Sequence, residues 1–225
     1  MKNTVSSLPA TLIIQTGTLS GQGLSGVTIE TIQNGSPLNG YFIPTYKGLN
    51  ASTGLYNEFG AAGYAGNPNP TTLAGLNTTA RFAKLTLTAN LNGVFGNQIY
   101  NNTFNSVLNV SQIRAGRNIA LAEYQSGVKE SLANAVTPST RYLESGNFVK
   151  LSNVTLSYAL GDFGKALKGA NVYVIGQNLF VITKYRGFDP EVNTNKAFGV
   201  VPSAGIDYTG YPTARTFTLG VNFSL

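Results

Sequence analysis

"KLTLTANLN", residues Lys84 to Asn92, alternates without a break. Leu85, Leu87, Ala89 and Leu91 fall on one side; Lys84, Thr86, Thr88, Asn90 and Asn92 fall on the other. A helix would need apolar residues at spacings of three and four, so strict period two predicts a strand with one apolar face and one polar face. Leu73 to Phe82, "LAGLNTTARF", reads as a second strand just before it, and the join near Ala83 has room only for a tight hairpin. Phe148 to Leu160, "FVKLSNVTLSYAL", alternates twice, with a phase slip between Leu151 and Val154. A β-bulge near Ser152 and Asn153 accounts for the slip, as does a strand that starts only at Asn153. Ala170 to Thr183 is strand-like through its Val, Ile, Tyr and Phe content. Val27 to Ile32 and Tyr41 to Tyr46 are shorter strand candidates, and Arg117 to Ser126 is the one plausible helix. The chain closes on "RTFTLGVNFSL", where Phe217, Leu219, Val221, Phe223 and Leu225 alternate with polar residues or glycine to the last position.

Composition narrows what such strands can be. Of the 225 residues only 11% are charged, against about 25% in ordinary domains, while the apolar share is an ordinary 42%. The polar faces are therefore built from Gly, Asn, Ser and Thr. Neutral polar faces suit the lumen side of a barrel whose other face meets lipid, or a secreted β protein of short strands. Cys and His are both absent, which removes disulfides, the common zinc sites and the usual Ser-His and Cys-His nucleophile pairs. The net charge of +6 comes from fifteen basic residues spread along the chain without a run, so nucleic acid is not the expected partner. No stretch approaches the ~20 apolar residues of a membrane helix. The N-terminus "MKNTVSSLPATLIIQTG" makes a poor signal peptide, and the chain is expected to be a piece of something longer.

The connections carry more information than the strands. Those at Ala83 and at Gly161–Gly169 are short; those at Asn97–Asn147 and Lys184–Pro212 are long. Alternating short and long connections between antiparallel strands characterise outer-membrane barrels, with short periplasmic turns and long external loops. Counted from a periplasmic C-terminus, both long connections fall outside the cell.

Few motifs carry chemistry. "GQGLSG", residues 21 to 26, matches a dinucleotide fingerprint but is followed by a strand pattern instead of the required helix, so it reads as a glycine-rich loop. Asn-x-Ser/Thr triplets at Asn50, Asn77, Asn101, Asn109 and Asn153 read as compositional. Asp189, Glu191 and Asp207 share a loop but match no calcium-ligand spacing. Tyr185, Phe188, Tyr208 and Tyr211 flank the same loop. Their plain reading is an interfacial aromatic girdle with loop packing. The sharper one is a ligand-facing platform, with Tyr185, Asp189, Tyr208 and Tyr211 as its residues. No carboxylate pair, activated nucleophile or phosphate cradle remains, so no enzyme, metal site or cofactor is expected.

Four blocks together resemble the C-terminal part of SusC-like (RagA-type) TonB-dependent outer-membrane transporters: Gly66 to Asn101, Tyr142 to Leu160, Val172 to Val192 and Asp207 to Leu225. The run "GQNLFVITKYRGFDPE" is the most specific among them. The resemblance implies an all-β chain, an antiparallel transmembrane β-barrel segment comprising the last about six to eight strands of a 22-stranded wall. On this reading residues 1–225 are the C-terminal part of the receptor barrel, without its plug domain and N-terminal strands. The implied setting is the outer membrane of a Gram-negative cell. The implied partners are a SusD-like surface lipoprotein, TonB acting through the missing N-terminal part, the barrel-assembly machinery and outer-membrane lipid. The implied cargo is an oligosaccharide or a peptide. Thr218, Gly220, Phe223 and Leu225 resemble the β-signal that the assembly machinery reads at the end of such barrels, with Leu in place of the commoner Phe or Trp. Two other readings stay open on the residues alone: an independent small outer-membrane barrel or porin, and a secreted β-sandwich that binds glycans or serves as an adhesin.

Overall fold

The computed structural model describes residues 3–164, 167–192 and 194–224. Leu225, the last residue of the expected assembly signal, lies outside the described residues. The chain divides into two compact units. One comprises residues 72–95, 147–184 and 212–225; the other comprises 1–71, 96–146 and 185–211. Among the described residues no helix is long and apolar enough to cross a membrane.

Twelve strands are described. In chain order they are β1 (Ile13–Thr18), β2 (Thr28–Gln33), β3 (Gly40–Pro44), β4 (Ala62–Gly66), β5 (Thr72–Phe82), β6 (Leu85–Phe95), β7 (Gln98–Asn101), β8 (Leu143–Ser145), β9 (Phe148–Phe163), β10 (Leu167–Thr183), β11 (Ile206–Asp207) and β12 (Thr216–Ser224). The first unit is one antiparallel sheet in the order β12-β10-β9-β6-β5. Its five strands compare with the six to eight expected of the wall; the four strands before β5 form a separate sheet. β5 turns into β6 through Ala83 and Lys84, with Ala83 at φ 50°, a left-handed position where Gly or Asn is the usual choice. The phase slip in β9 is a bulge. Asn90 pairs with Asn153 and Leu91 with Leu151, so Ser152 is the extra residue and Leu151 returns to the face of Val154.

Register sorts this sheet into two faces. Rows on one face read Ala80–Leu87–Leu156–Val174–Leu219 and Phe82–Leu85–Tyr158–Val172–Val221 from β5 across to β12. Rows on the other read Asn77–Asn90–Asn153–Gln177–Thr216 and Arg81–Thr86–Ser157–Tyr173–Gly220. The apolar rows are uncovered: Phe82 is 83% exposed and Leu219 73%. In a soluble sandwich that face would be the core.

The second unit owns the hydrophobic core. Leu19, Leu24, Ile29, Tyr41, Ile43, Tyr100, Phe104, Tyr142 and Ile206 cluster there, around the antiparallel sheet β1-β2-β3-β4 and the small sheet β11-β7-β8. β11 runs parallel to β7, pairing Ile206 with Tyr100 and Asp207 with Asn101. Two short helices complete it, α1 (Asn102–Ser106) and α2 (Leu121–Gln125). The expected helix over 117–126 forms only as α2, which lacks a side-chain N-cap at Ala120. Several asparagines of the Asn-x-Ser/Thr triplets serve as caps. Asn50 Oδ1 accepts from the Ser52 and Thr53 amides, Asn101 Oδ1 from Phe104 N, and Asn109 Oδ1 from Ser111 N.

Candidate functional site

The two-faced sheet is the first functional feature. Thr86, Thr155, Ser157, Asn171, Tyr173 and Asn222 line a shallow open cavity of about 460 Å³ on its polar face. The strands that make it are long enough to span a bilayer's apolar layer: β9 has 16 residues and β10 has 17, where about 9–11 suffice. Both short turns, after β5 and after β9, leave one end of this sheet, and the long connections leave the other.

Three of the residues expected to form the assembly signal, Thr218, Gly220 and Phe223, sit on β12. Thr218 pairs with Ile175 and Gly220 with Tyr173 on the polar face, while Phe223 follows Val221 on the apolar one. Gly220 is explained by its neighbour. A Cβ there would stand 2.8 Å from Cε1 of Tyr173 and closer still to Cζ and the hydroxyl oxygen, inside the ordinary 3.5–4.0 Å of carbon contact. Its φ is not positive, so the requirement is room for the tyrosine ring and not backbone freedom.

The four residues expected to face a ligand part company. Tyr185 is buried, and its hydroxyl donates to Asp207 Oδ2 at 2.7 Å. Burial first, and then the Asp207 carboxylate, push that hydroxyl well above its ordinary pKa, so it remains a donor. Tyr208 lies under the ammonium of Lys196, 4.0 Å from the ring centroid. The Lys196 ammonium also donates to Ser20 Oγ, and burial lowers its pKa against the pull of Asp207. Asp189 and Tyr211 share a cavity of about 200 Å³, with Glu191 and Asp207 also in its wall. Asp189 Oδ1 accepts from Glu191 N at 2.9 Å, closing a local turn. Among the described residues no group of three or more acidic, His or Cys side chains is arranged to hold a metal.

The most specific block of sequence turns out to be a set of struts. Arg186 donates from its backbone N to Glu144 Oε2 at 2.9 Å and from Nη2 to Glu144 Oε1 at 3.0 Å. The same Oε1 accepts from Asn101 Nδ2 at 3.1 Å, and the Arg186 guanidinium stacks over Phe104. Asp207 also accepts from Thr103 Oγ1. Tyr185 and Arg186 after β10, Glu144 of β8, Asn101 of β7 and Asp207 of β11 therefore close one knot. The four resembling blocks each contribute to it.

Sequence reasoning passed over a second polar hub. The Arg141 guanidinium meets Glu123 at 2.8 Å and Glu130 at 2.6 Å and donates to Tyr56 OH at 3.3 Å. It also lies within 6 Å of the ring centroids of Tyr46, Tyr56 and Tyr142. Glu30 is equally unheralded: it is 1% exposed and has no basic partner among the described residues. It accepts from Asn39 Nδ2 at 3.0 Å and from Ala204 N, and burial pushes its carboxyl up to about 8. Neither had a signature in spacing: Arg141 draws on Glu123, Glu130 and Tyr56, and Glu30 on Asn39 and Ala204, at no common interval.

No family model matches the chain. Over 70% of its length it is 29% identical to TonB-dependent receptor P3 of Formosa agariphila, covering 16% of that protein. Over 84% of its length it is 26% identical to TonB-dependent receptor SusC of Bacteroides thetaiotaomicron, covering 18% of it. The chain thus spans less than a fifth of these curated relatives. Among solved structures, the RagAB peptide importer in its open-open state superposes with a TM-score of 0.73 at 18% identity, over 99% of this chain and 25% of that one. The RagAB peptide transporter gives 0.65 at 19%, over 86% of this chain and 23% of that one. The likeness to SusC-type TonB-dependent receptors expected from the four blocks holds, and the chain has the fold of part of a RagA-type barrel, not closed within itself.

Proposed function

We propose that this chain supplies wall strands and outer loops to an outer-membrane barrel that imports oligosaccharides or peptides, energised through TonB and working with a SusD-like surface lipoprotein. The observation that carries the reading is the sheet β12-β10-β9-β6-β5. It has an apolar face left uncovered, a polar face made mainly of Thr, Ser and Asn with a few basic residues, and all its long connections at one end. In this reading the apolar rows face lipid and the polar rows face the lumen. The short turns and the end of β12 lie on the periplasmic side, and residues 96–146 and 185–211 lie outside the cell. Import is binding and passage, with no bond made or broken by this chain. β5 and β12 both end the sheet, and open edges are not tolerated in hydrocarbon. The wall is therefore completed by strands other than these.

Deleting the chromosomal gene tests this. Uptake of a fluorescent oligosaccharide or peptide pool by intact cells should fall, and it should fall equally when TonB is removed from the parent strain. Uptake of both pools at parental rates, or a gene product recovered in the soluble fraction, would overturn the reading.

A further inference from the structure

The glycine-rich stretch at residues 21–26 bears no cofactor, yet it edges a cavity of about 520 Å³, within the size range of small-molecule sites. Gly21, Gly23 and Gly26 all have positive φ, and Leu24, fully buried, pins the loop to the core. At Gly23 nothing stands within 4 Å of where a Cβ would be, so the backbone there is open to a ligand.

Across the cavity lie Ser111, Gln112 and Arg114 of the 3-10 turn Val110–Ala115, with Ala135 and Val136 as an apolar wall. Gln112 is fixed: its Nε2 donates to Ser106 O at 2.8 Å and its Oε1 accepts from Arg117 Nη1 at 3.5 Å. Ser111 is held by Asn109. Arg114 and Gln22 are different. Both side chains are exposed and line the cavity, and neither has a hydrogen-bond or ion-pair partner among the described residues. Arg114 is the one charged group in the lining, Arg117 brings a second positive charge to Gln112 in its wall, and among the described residues neither arginine has an ion-pair partner.

From this arrangement we infer that the cavity is a binding subsite for a carboxylate carried by the imported molecule. Arg114 is its anchor, the Gln22 amide a second donor, and Ala135 and Val136 the contact for the adjoining aliphatic part. A guanidinium fork matches a carboxylate in plane, and a carboxylate satisfies donors that a neutral hydroxyl would leave charged and unpaired. A uronic-acid glycan and an acidic peptide carry the same group. The inference rests on the import reading for its cargo and gives that cargo a chemical class.

The test uses the complete receptor purified from outer membranes in detergent. Four probes are titrated by calorimetry: tri-galacturonate, its neutral methyl ester, tri-glutamate acetylated at its N-terminus and amidated at its C-terminus, and tri-glutamine capped in the same way. At least one acid should bind, and Arg114→Gln should weaken it about 10–100-fold, the worth of one charge-assisted hydrogen bond. Its neutral counterpart should bind no better to wild type than the acid binds to the variant. Binding by the sugar acid alone assigns the carboxylate to a glycan, and binding by the peptide alone assigns it to a peptide. As a readout on the unaltered protein, the bound acid should slow phenylglyoxal modification of Arg114. Absence of binding by both acids, or affinity unchanged in Arg114→Gln, overturns the site. If cells still import while neither acid binds, only the site is lost. If the acid binds but nothing is imported, the import reading is lost and the site stands.

Discussion

Gly220→Ala in the chromosomal gene isolates one contact in the wall. The new methyl carbon would stand 2.8 Å from Tyr173 Cε1, so the ring must retreat by roughly an ångström to regain ordinary separation. The backbone itself accepts alanine, because φ at Gly220 is not positive. Overpacking of this kind costs about 1–3 kcal/mol. The ring can swing over an open polar face, which favours the lower half of that range. The cost should appear as a lower urea midpoint for the heat-modifiable folded band in lipid vesicles, with Tyr173→Ala and the double variant measured beside it. If Gly220 is needed only as a seat for the ring, Gly220→Ala should be nearly neutral once Tyr173 is alanine, giving a coupling of about 1–2 kcal/mol. An undiminished Gly220→Ala defect in the Tyr173→Ala background would refute the steric account. It would also leave recognition of the strand by the assembly machinery as the reason for the glycine.

Three further outcomes follow from the same structure. Leu87 lies in an apolar row and Thr86 in a polar one, so Leu87→Arg should lower folding stability in lipid by about 2–4 kcal/mol if it sits near mid-bilayer. Thr86→Arg should cost far less, and equal losses would mean that the faces are reversed. Glu30 titrates near 8 when folded and near 4.5 when not, so only the folded state keeps the proton between those values. Local stability should therefore decline from about pH 4.5 to pH 8, by up to ~1.4 kcal/mol per pH unit. Hydrogen exchange of the peptides covering 28–33 and 200–206, corrected for intrinsic rates, should show this slope in wild type and lose it in Glu30→Gln. Arg141→Ala leaves the Glu123 and Glu130 carboxylates, 10% and 4% exposed as side chains, without their cation. A loss of about 3–5 kcal/mol is expected, read as faster proteolysis within residues 117–134 of the intact protein, and Arg141→Lys should recover only part of it.

The wall strands were legible because each carries its own evidence. Period two over Lys84–Asn92 and over the last residues fixes both faces locally, and the slip in β9 announces its bulge. The elements of the other unit do not work that way. β2 reads "TIETIQ", which puts Ile29 and Ile32 on opposite faces, and Ile29, Glu30 and Thr31 are all buried. Burial on both sides hides the pattern that alternation depends on. β11 is two residues long and exists only because Tyr100 and Asn101 stand beside it, about a hundred positions earlier in the chain. The ten residues that suggested a helix yield five in α2, where Glu123 is tied to Arg141. In each case the local pattern does not name what decides the structure.

That division bears on where specificity should be sought. The residues that meet in the knot (Tyr185, Arg186, Glu144, Asn101 and Asp207), drawn from all four resembling blocks, are engaged in mutual hydrogen bonds. A side chain with both ends engaged inside the fold has little left with which to choose a cargo. Such a knot holds together the unit it belongs to. Selective contacts need groups with unspent hydrogen-bonding capacity, held on a rigid turn and open to a cavity. Arg114 and Gln22 meet that description, and both lie outside every block that carries the resemblance. Under the proposed function, cargo choice would then be set by a few residues on the 21–26 and 110–115 turns. Exchanging Arg114 alone should alter what is bound while leaving the folded wall as it is.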